Sequence, residues 1–352
     1  MFLTKLPAPI DIHVHLRDPG DTHKEDFYTG TSAALNGGIS AVFDMPNNKT
    51  PIFTEESLRE KENIAKVKAV CDYGFYFGST GKNIEEFPKV SERVVGLKLY
   101  LDQTTGDYLI RDLASIRDVF IKWPKEKVIV IHAEAENVSL VIKLAKESGN
   151  KIHITHVTTK ADLERIIEAK KMSLPVTCDV TPHHLFLTDK DAVELKGKGQ
   201  VKPSLANLTD KTFLWDSLSW VDCFSSDHAP HTEEEKNSPS PPYGIPGLDT
   251  MIPLLLTAVK DGSLEMDDLI QKISTNPHKI FNIPVDKDTY TEVDLDENYE
   301  LKKENLKTKC CWSPYEGWQL HGKVKSVYIR GKKVMEDGRI LVEKGFGRNM
   351  ML

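Results

Sequence analysis

The chain has 352 residues, enough to bury a large core as one big barrel or two ordinary domains. It is 39% hydrophobic and 28% charged, a globular composition, and no apolar run approaches the ~18 residues that span a bilayer. A formal net charge of -7 without a basic stripe excludes a nucleic-acid partner, so an anionic ligand would need local cations.

The N-terminus runs directly into a strand-like segment with no signal-peptide core, and the five cysteines lack metal-finger spacing. Reduced thiols in a cytoplasmic protein are expected.

Within Asp11-Ile12-His13-Val14-His15-Leu16-Arg17, extended backbone would put His13, His15 and Arg17 on one face and Ile12, Val14 and Leu16 on the other. Two imidazoles and a guanidinium buried together call for a metal and an anionic ligand. A helix follows from about Asp26 to Asn36, stopped by Gly37-Gly38, and then a strand from Ile39 to Phe43 ending in Asp44-Met45-Pro46-Asn47-Asn48. Thr54 caps a polar helix to about Lys68.

Further strands are predicted at Val70–Phe77, Val94–Leu101, Val128–Ala133, Ile152–Val157, Val176–Val180 and Cys223–Ser226. Helices near Leu109–Lys122, Glu136–Ser148, Lys160–Lys171 and Thr212–Ser219 lie between them. Eight short strands alternating with helices indicate a (β/α)₈ TIM barrel, and no Gly-x-Gly-x-x-Gly follows the first strand to favour a doubly wound sheet. The proline-rich stretch Asn237 to Gly247 after the eighth strand is a solvated loop or an active-site wall. The barrel is expected over 1–285, with 286–352 forming a C-terminal extension that carries a small antiparallel β appendage at Val324–Ile329, Lys333–Met335 and Ile340–Val342.

Barrel enzymes draw catalytic side chains from the C-terminal ends of their strands. Here those ends carry His13 and His15, Lys98, His132, His153 and His156, Asp179 with His183 and His184, and Asp227 with His228 and His231. Imidazole and carboxylate donors without thiolate suit Zn²⁺ in a catalytic site. Lys98 stands apart, because an ammonium among metal ligands must be neutral or chemically altered.

His13-x-His15-x-Arg17 with Asp18-Pro19-Gly20, Met45-Pro46-Asn47, Gly96-Leu97-Lys98-Leu99-Tyr100, Pro182-His183-His184-Leu185 and Ser226-Asp227-His228-Ala229-Pro230-His231 together resemble the dihydroorotases of the amidohydrolase superfamily. The likeness runs to about Gly347. Thr22 to Phe27 and Pro253 to Val259 bring it nearest the dihydroorotase domain of the animal multifunctional pyrimidine-synthesis polypeptide.

The resemblance implies two zinc ions: His13, His15 and Asp227 on one, His132 and His156 on the other, with Lys98, carboxylated by CO₂, between them. It implies a metal-bridging hydroxide as nucleophile, Asp227 as proton carrier, and reversible cyclisation of N-carbamoyl-L-aspartate to L-dihydroorotate. Arg17, Asn47 and His231 would take the substrate carboxylate, backbone around Pro246 and Gly247 the pyrimidine edge, and Thr104 and Thr105 a lid. Lys202 stands where the animal domain has a substrate-contacting arginine. Thr155 and Asp179 replace a cysteine and a glutamate of that domain's third metal site; Thr155 is a poor ligand, so no third zinc is expected despite His184.

The family context implies a small-molecule substrate and either a homodimer or a domain of a larger assembly. Hydantoinase, dihydropyrimidinase or allantoinase activity would use the same metals without needing Arg17. A metal-free structural homologue is the reading outside enzymology.

Overall fold

The computed structural model describes residues 3–103 and 108–352. Among the described residues, thirteen strands form two sheets. Strand β1 is Thr4–Pro7, and the barrel strands follow as β2 Ile10–Val14, β3 Ala41–Asp44, β4 Asp72–Gly78, β5 Gly96–Tyr100, β6 Val128–His132, β7 Ile152–Ile154, β8 Val176–Val180 and β9 Cys223–Phe224. They pair in sequence order, all in parallel.

The seam between first and last strands closes through a bridge at Val14 and His228, where the His15 N–H donates to the His228 carbonyl at 2.8 Å. Lower down, Asp11 Oδ1 accepts from Ser226 N at 3.1 Å and from His13 N at 3.1 Å, so a carboxylate takes over where the ladder stops.

Outward strand residues such as Val42, Leu97, Leu99, Ile129 and Ile131 pack with the surrounding helices into the main core. A separate interior layer fills the barrel beneath the site and includes Ile10, Ile12, Phe43, Tyr76, Val130 and Phe281. The pairing register shifts between Asp11 and Val14. This irregularity breaks the expected alternation of the opening strand: Ile12 joins the interior layer, while Val14 and Leu16 face the helices as expected.

Helix ends follow their caps. Phe27–Asn36 starts on Asp26, whose carboxylate accepts from Tyr28 N and Thr29 N; Glu55–Lys68 starts on Thr54; Lys160–Lys171 starts on Thr159. Leu208–Asp216 begins earlier than the expected Thr212 because Asn207 caps it, accepting from Thr209 N and Asp210 N.

The second sheet runs β1, β10 Tyr290–Glu300, β11 Gln319–Ile329, β12 Lys332–Glu336, β13 Arg339–Ile340, all antiparallel. The appendage thus takes an edge strand from the N-terminus, and its long strand β10 was not apparent in the acidic segment Glu292–Glu300. Among the described residues, no helix is long and apolar enough to cross a membrane.

Candidate active site

The strand ends on one rim of the barrel converge. His13, His15, Arg17, Asn47, Tyr100, His132, His156, Lys202, Asp227 and Tyr243 line a single cavity, with Val201, Ala229 and Gly244 completing its wall. Arg17, His156 and Asp227 hold left-handed backbone angles, φ 61°, 41° and 43°. Such strain in non-glycine residues persists only where surrounding bonds enforce it.

Two donor clusters meet in the cavity. In the first, Asp227 Oδ1 lies 3.3 Å from His13 Nε2 and 3.1 Å from His15 Nε2. His15 Nδ1 lies 2.7 Å from Asn47 Oδ1, an oxygen that can only accept. With Nδ1–H donating there, Nε2 turns a lone pair toward a carboxylate oxygen, an arrangement that a cation between them resolves. In the second cluster, His132 Nδ1 faces His156 Nε2 at 3.0 Å.

The Lys98 side chain is fully buried, and its ammonium nitrogen donates to Thr155 Oγ1 at 3.2 Å. Burial drives the imidazoles of His13, His15 and His156 well below the ordinary histidine range, so they stay neutral donors. Burial also pushes the Lys98 ammonium down and the Asp227 carboxyl up from their ordinary values. His13 Nδ1 and His156 Nδ1 have no hydrogen-bond partner among the described residues, and His132 Nε2 lies 3.4 Å from Glu134 Oε1. Neutral imidazoles, a carboxylate and unsatisfied ring nitrogens in one pocket fit a divalent metal centre.

The cationic wall lies beside these clusters. Arg17 Nε donates to the Pro230 carbonyl at 3.2 Å, and its Nη2 lies 3.1 Å from His231 Nε2. Burial, next to Arg17 and Lys24, pushes His231 down to about 2, leaving Arg17 and Lys202 as the cations among the residues that line the cavity. Asn47 therefore serves the His15 ring as well as the wall.

Other expected residues sit elsewhere. Gly247 N donates to His228 Nδ1 at 3.1 Å, and Tyr243 and Gly244 rather than Pro246 and Gly247 line the cavity. Those two belong to the proline-rich stretch already read as a candidate wall. Asp179 does not meet His184: its Oδ1 accepts from His156 N at 2.8 Å and from Ser225 Oγ at 2.6 Å, and its Oδ2 lies 2.8 Å from His153 Nε2. His184 is engaged at both nitrogens, by Thr181 Oγ1 at 2.8 Å and the Pro203 carbonyl at 3.1 Å. Thr104 and Thr105 lie outside the described residues.

Two supports were missed in the sequence. The Lys61 ammonium, fully buried, is 2.7 Å from Asp44 Oδ2 and donates to Asn48 Oδ1 at 2.9 Å and the Met45 carbonyl at 2.7 Å. Asp44 Oδ1 accepts from Leu16 N at 2.8 Å, so one ion pair anchors both loops that carry Arg17 and Asn47. Glu25, also fully buried, lies 3.2 Å from His228 Nε2. A lysine in a polar helix and a glutamate before a cap gave no periodic signal.

The sequence model of the amidohydrolase family matches residues 4–289. The multifunctional protein CAD of Squalus acanthias is 43% identical over 99% of the chain, which spans only 16% of that relative's length. The dihydroorotase of Pyrococcus abyssi is 39% identical over 96% of the chain and 84% of its own length. Among solved structures, the inactive dihydroorotase-like domain of the Chaetomium thermophilum CAD-like multifunctional protein superposes with a TM-score of 0.86 at 27% identity, covering 99% of this chain and 100% of that one. With a family match over most of its length and full-length relatives well above 30% identity, this chain belongs to the amidohydrolase family, on its dihydroorotase branch.

Proposed function

We propose that this chain is a zinc-dependent dihydroorotase, interconverting N-carbamoyl-L-aspartate and L-dihydroorotate in de novo pyrimidine biosynthesis. The observation that carries the reading is the buried Arg17 on the same cavity wall as the two donor clusters. Cyclic amides without a carboxylate have no use for that guanidinium, whereas a planar carboxylate matches its fork.

His13, His15 and Asp227 would hold one zinc ion, and His132 and His156 the other, with Lys98 carboxylated by CO₂ between them. Bound there, the metals supply Lewis-acid charge for the ring carbonyl and lower the pKa of water. Burial pushes the Lys98 ammonium down, toward the neutral amine that is the nucleophile CO₂ requires. Arg17 and the Asn47 amide bind the ring carboxylate, and Lys202 adds positive charge at the mouth. Asp227 carries the proton released by water to the ring nitrogen as the C–N bond opens, and returns it during cyclisation, its carboxylate lying among the metal donors where that proton must move.

Every donor position of the two clusters is filled here by a competent residue, which supports activity over an inactive homologue. The enzyme would work in the cytoplasm, as a homodimer or as one domain of a longer pyrimidine-synthesis polypeptide. Arg17→Ala tests the reading: it should lose turnover of L-dihydroorotate, and full retention would refute the carboxylate assignment.

A further inference from the structure

Lys236 is a buried cation without a counter-anion. It ends the short helix Glu233–Lys236 and is only 1% exposed. Its ammonium donates to three backbone carbonyls: Gln200 at 2.9 Å, Pro242 at 2.8 Å and Gly244 at 2.9 Å. All three protons are thereby engaged, and the nitrogen lies 5.8 Å from the Trp312 ring centroid. No carboxylate pairs with it among the described residues, and burial, with Arg17 nearby, pushes it down to about 7, while three carbonyl acceptors, each needing an N–H donor, favour its charged form. An ammonium removed from water without an anion is unfavourable, so only the convergence of carbonyl dipoles sustains it.

The three carbonyls belong to two separate loops. Gln200 precedes Val201 and Lys202, while Pro242 and Gly244 flank Tyr243; Val201, Lys202 and Tyr243, with Gly244 itself, line the cavity. The Gly244 N–H also donates to the Gln200 carbonyl at 2.9 Å, and Lys202 Nζ sits 5.5 Å from the Tyr243 ring centroid. The ammonium is the one group that joins Gln200, Pro242 and Gly244 at a single point.

We infer that Lys236 is a positioning residue, a tethered internal cation that pins together the two adjoining loops that contribute Val201, Lys202, Tyr243 and Gly244 to the substrate cavity. The same three carbonyls form a cage that takes a free ammonium or potassium ion once the side chain's charge is removed. The substrate part of this inference rests on the dihydroorotase reading; the cage does not.

The experiment compares wild type with Lys236→Ala, which empties the cage, in ammonium, potassium, sodium and tetramethylammonium chloride at equal ionic strength. In tetramethylammonium, KM for L-dihydroorotate should rise about tenfold or more with kcat little changed, the scale of losing charged hydrogen bonds. Ammonium or potassium should restore KM and raise the melting midpoint of the variant, leaving that of wild type unmoved. A wild-type KM in tetramethylammonium, or a midpoint blind to cation identity, would overturn the inference. If wild type itself fails to turn over dihydroorotate, the functional reading falls, and the cage is judged on the midpoints alone. Should Lys236→Ala not fold in tetramethylammonium, recovery of folded protein on adding ammonium supports the cage and its absence refutes it. Lys236→Gln, with two donors for three acceptors, should show an intermediate KM.

Discussion

Asp227 Oδ1 lies 3.1 Å from His15 Nε2, although 212 residues separate the two in the chain. The barrel seam creates this proximity, because the last strand returns beside the first and bridges it at Val14 and His228. One carboxylate thereby sits among metal donors and at the point where a proton must move. Asp227→Asn keeps the shape but removes the charge and the basic oxygen. Turnover should fall by about 10²–10⁴-fold, the range for losing a positioned proton carrier, with an unchanged circular dichroism spectrum. Activity within a factor of a few of wild type would remove Asp227 from the chemistry.

Lys98 is fully buried beside neutral imidazoles, with Thr155 Oγ1 as its hydrogen-bond acceptor. Lys98→Ala should abolish both turnover and zinc uptake, and short carboxylic acids should restore part of each by supplying the missing bridging carboxylate. Elemental analysis checks the uptake directly. A variant with normal zinc content would show that Lys98 does not bridge.

The Lys61 and Asp44 pair is fully enclosed and links two loops. Lys61→Met leaves the Asp44 carboxylate buried without its cation, and breaking such pairs costs about 3–5 kcal/mol. Urea denaturation should show that loss. Because Asp44 holds Leu16 N, the carboxylate-binding wall should loosen as well, raising KM.

Much of this architecture was legible in the chain. Barrel strands announced themselves as short β-branched runs, and polar side chains at their ends marked one rim, so His13, His15, Lys98, His132, His156 and Asp227 could be placed together before any coordinates. Three things were not legible. The register shift at Asp11 to Val14 depends on closing the seam, a long-range event that local alternation does not encode. Strand β10 carries acidic residues on its exposed side and reads as a loop until β11 pairs with it. The buried lysines 61 and 236 sit in charged stretches, where composition suggests solvent; only tertiary packing shows that their ammonium groups turn inward.

His231 gives a pH test. Its ring titrates ordinarily near 6.5, and burial beside Arg17 and Lys24 pushes it down to about 2. Between these values the unfolded chain binds a proton that the folded chain refuses, so stability contributed by this residue is present above 6.5 and lost as pH falls. Relative to His231→Gln, wild type should lose about 1.4 kcal/mol per pH unit below that point. Melting midpoints of both proteins at pH 7, 6 and 5 check the slope; parallel curves would show that the ring titrates normally.

The most direct measurement is kcat/KM of the purified, zinc-analysed protein on L-dihydroorotate against hydantoin. The account predicts about two zinc ions per chain and a strong preference for L-dihydroorotate, at least about 10²-fold for the carboxylate held by Arg17. Equal or better turnover of hydantoin, or a zinc-free protein inert toward both, would contradict it.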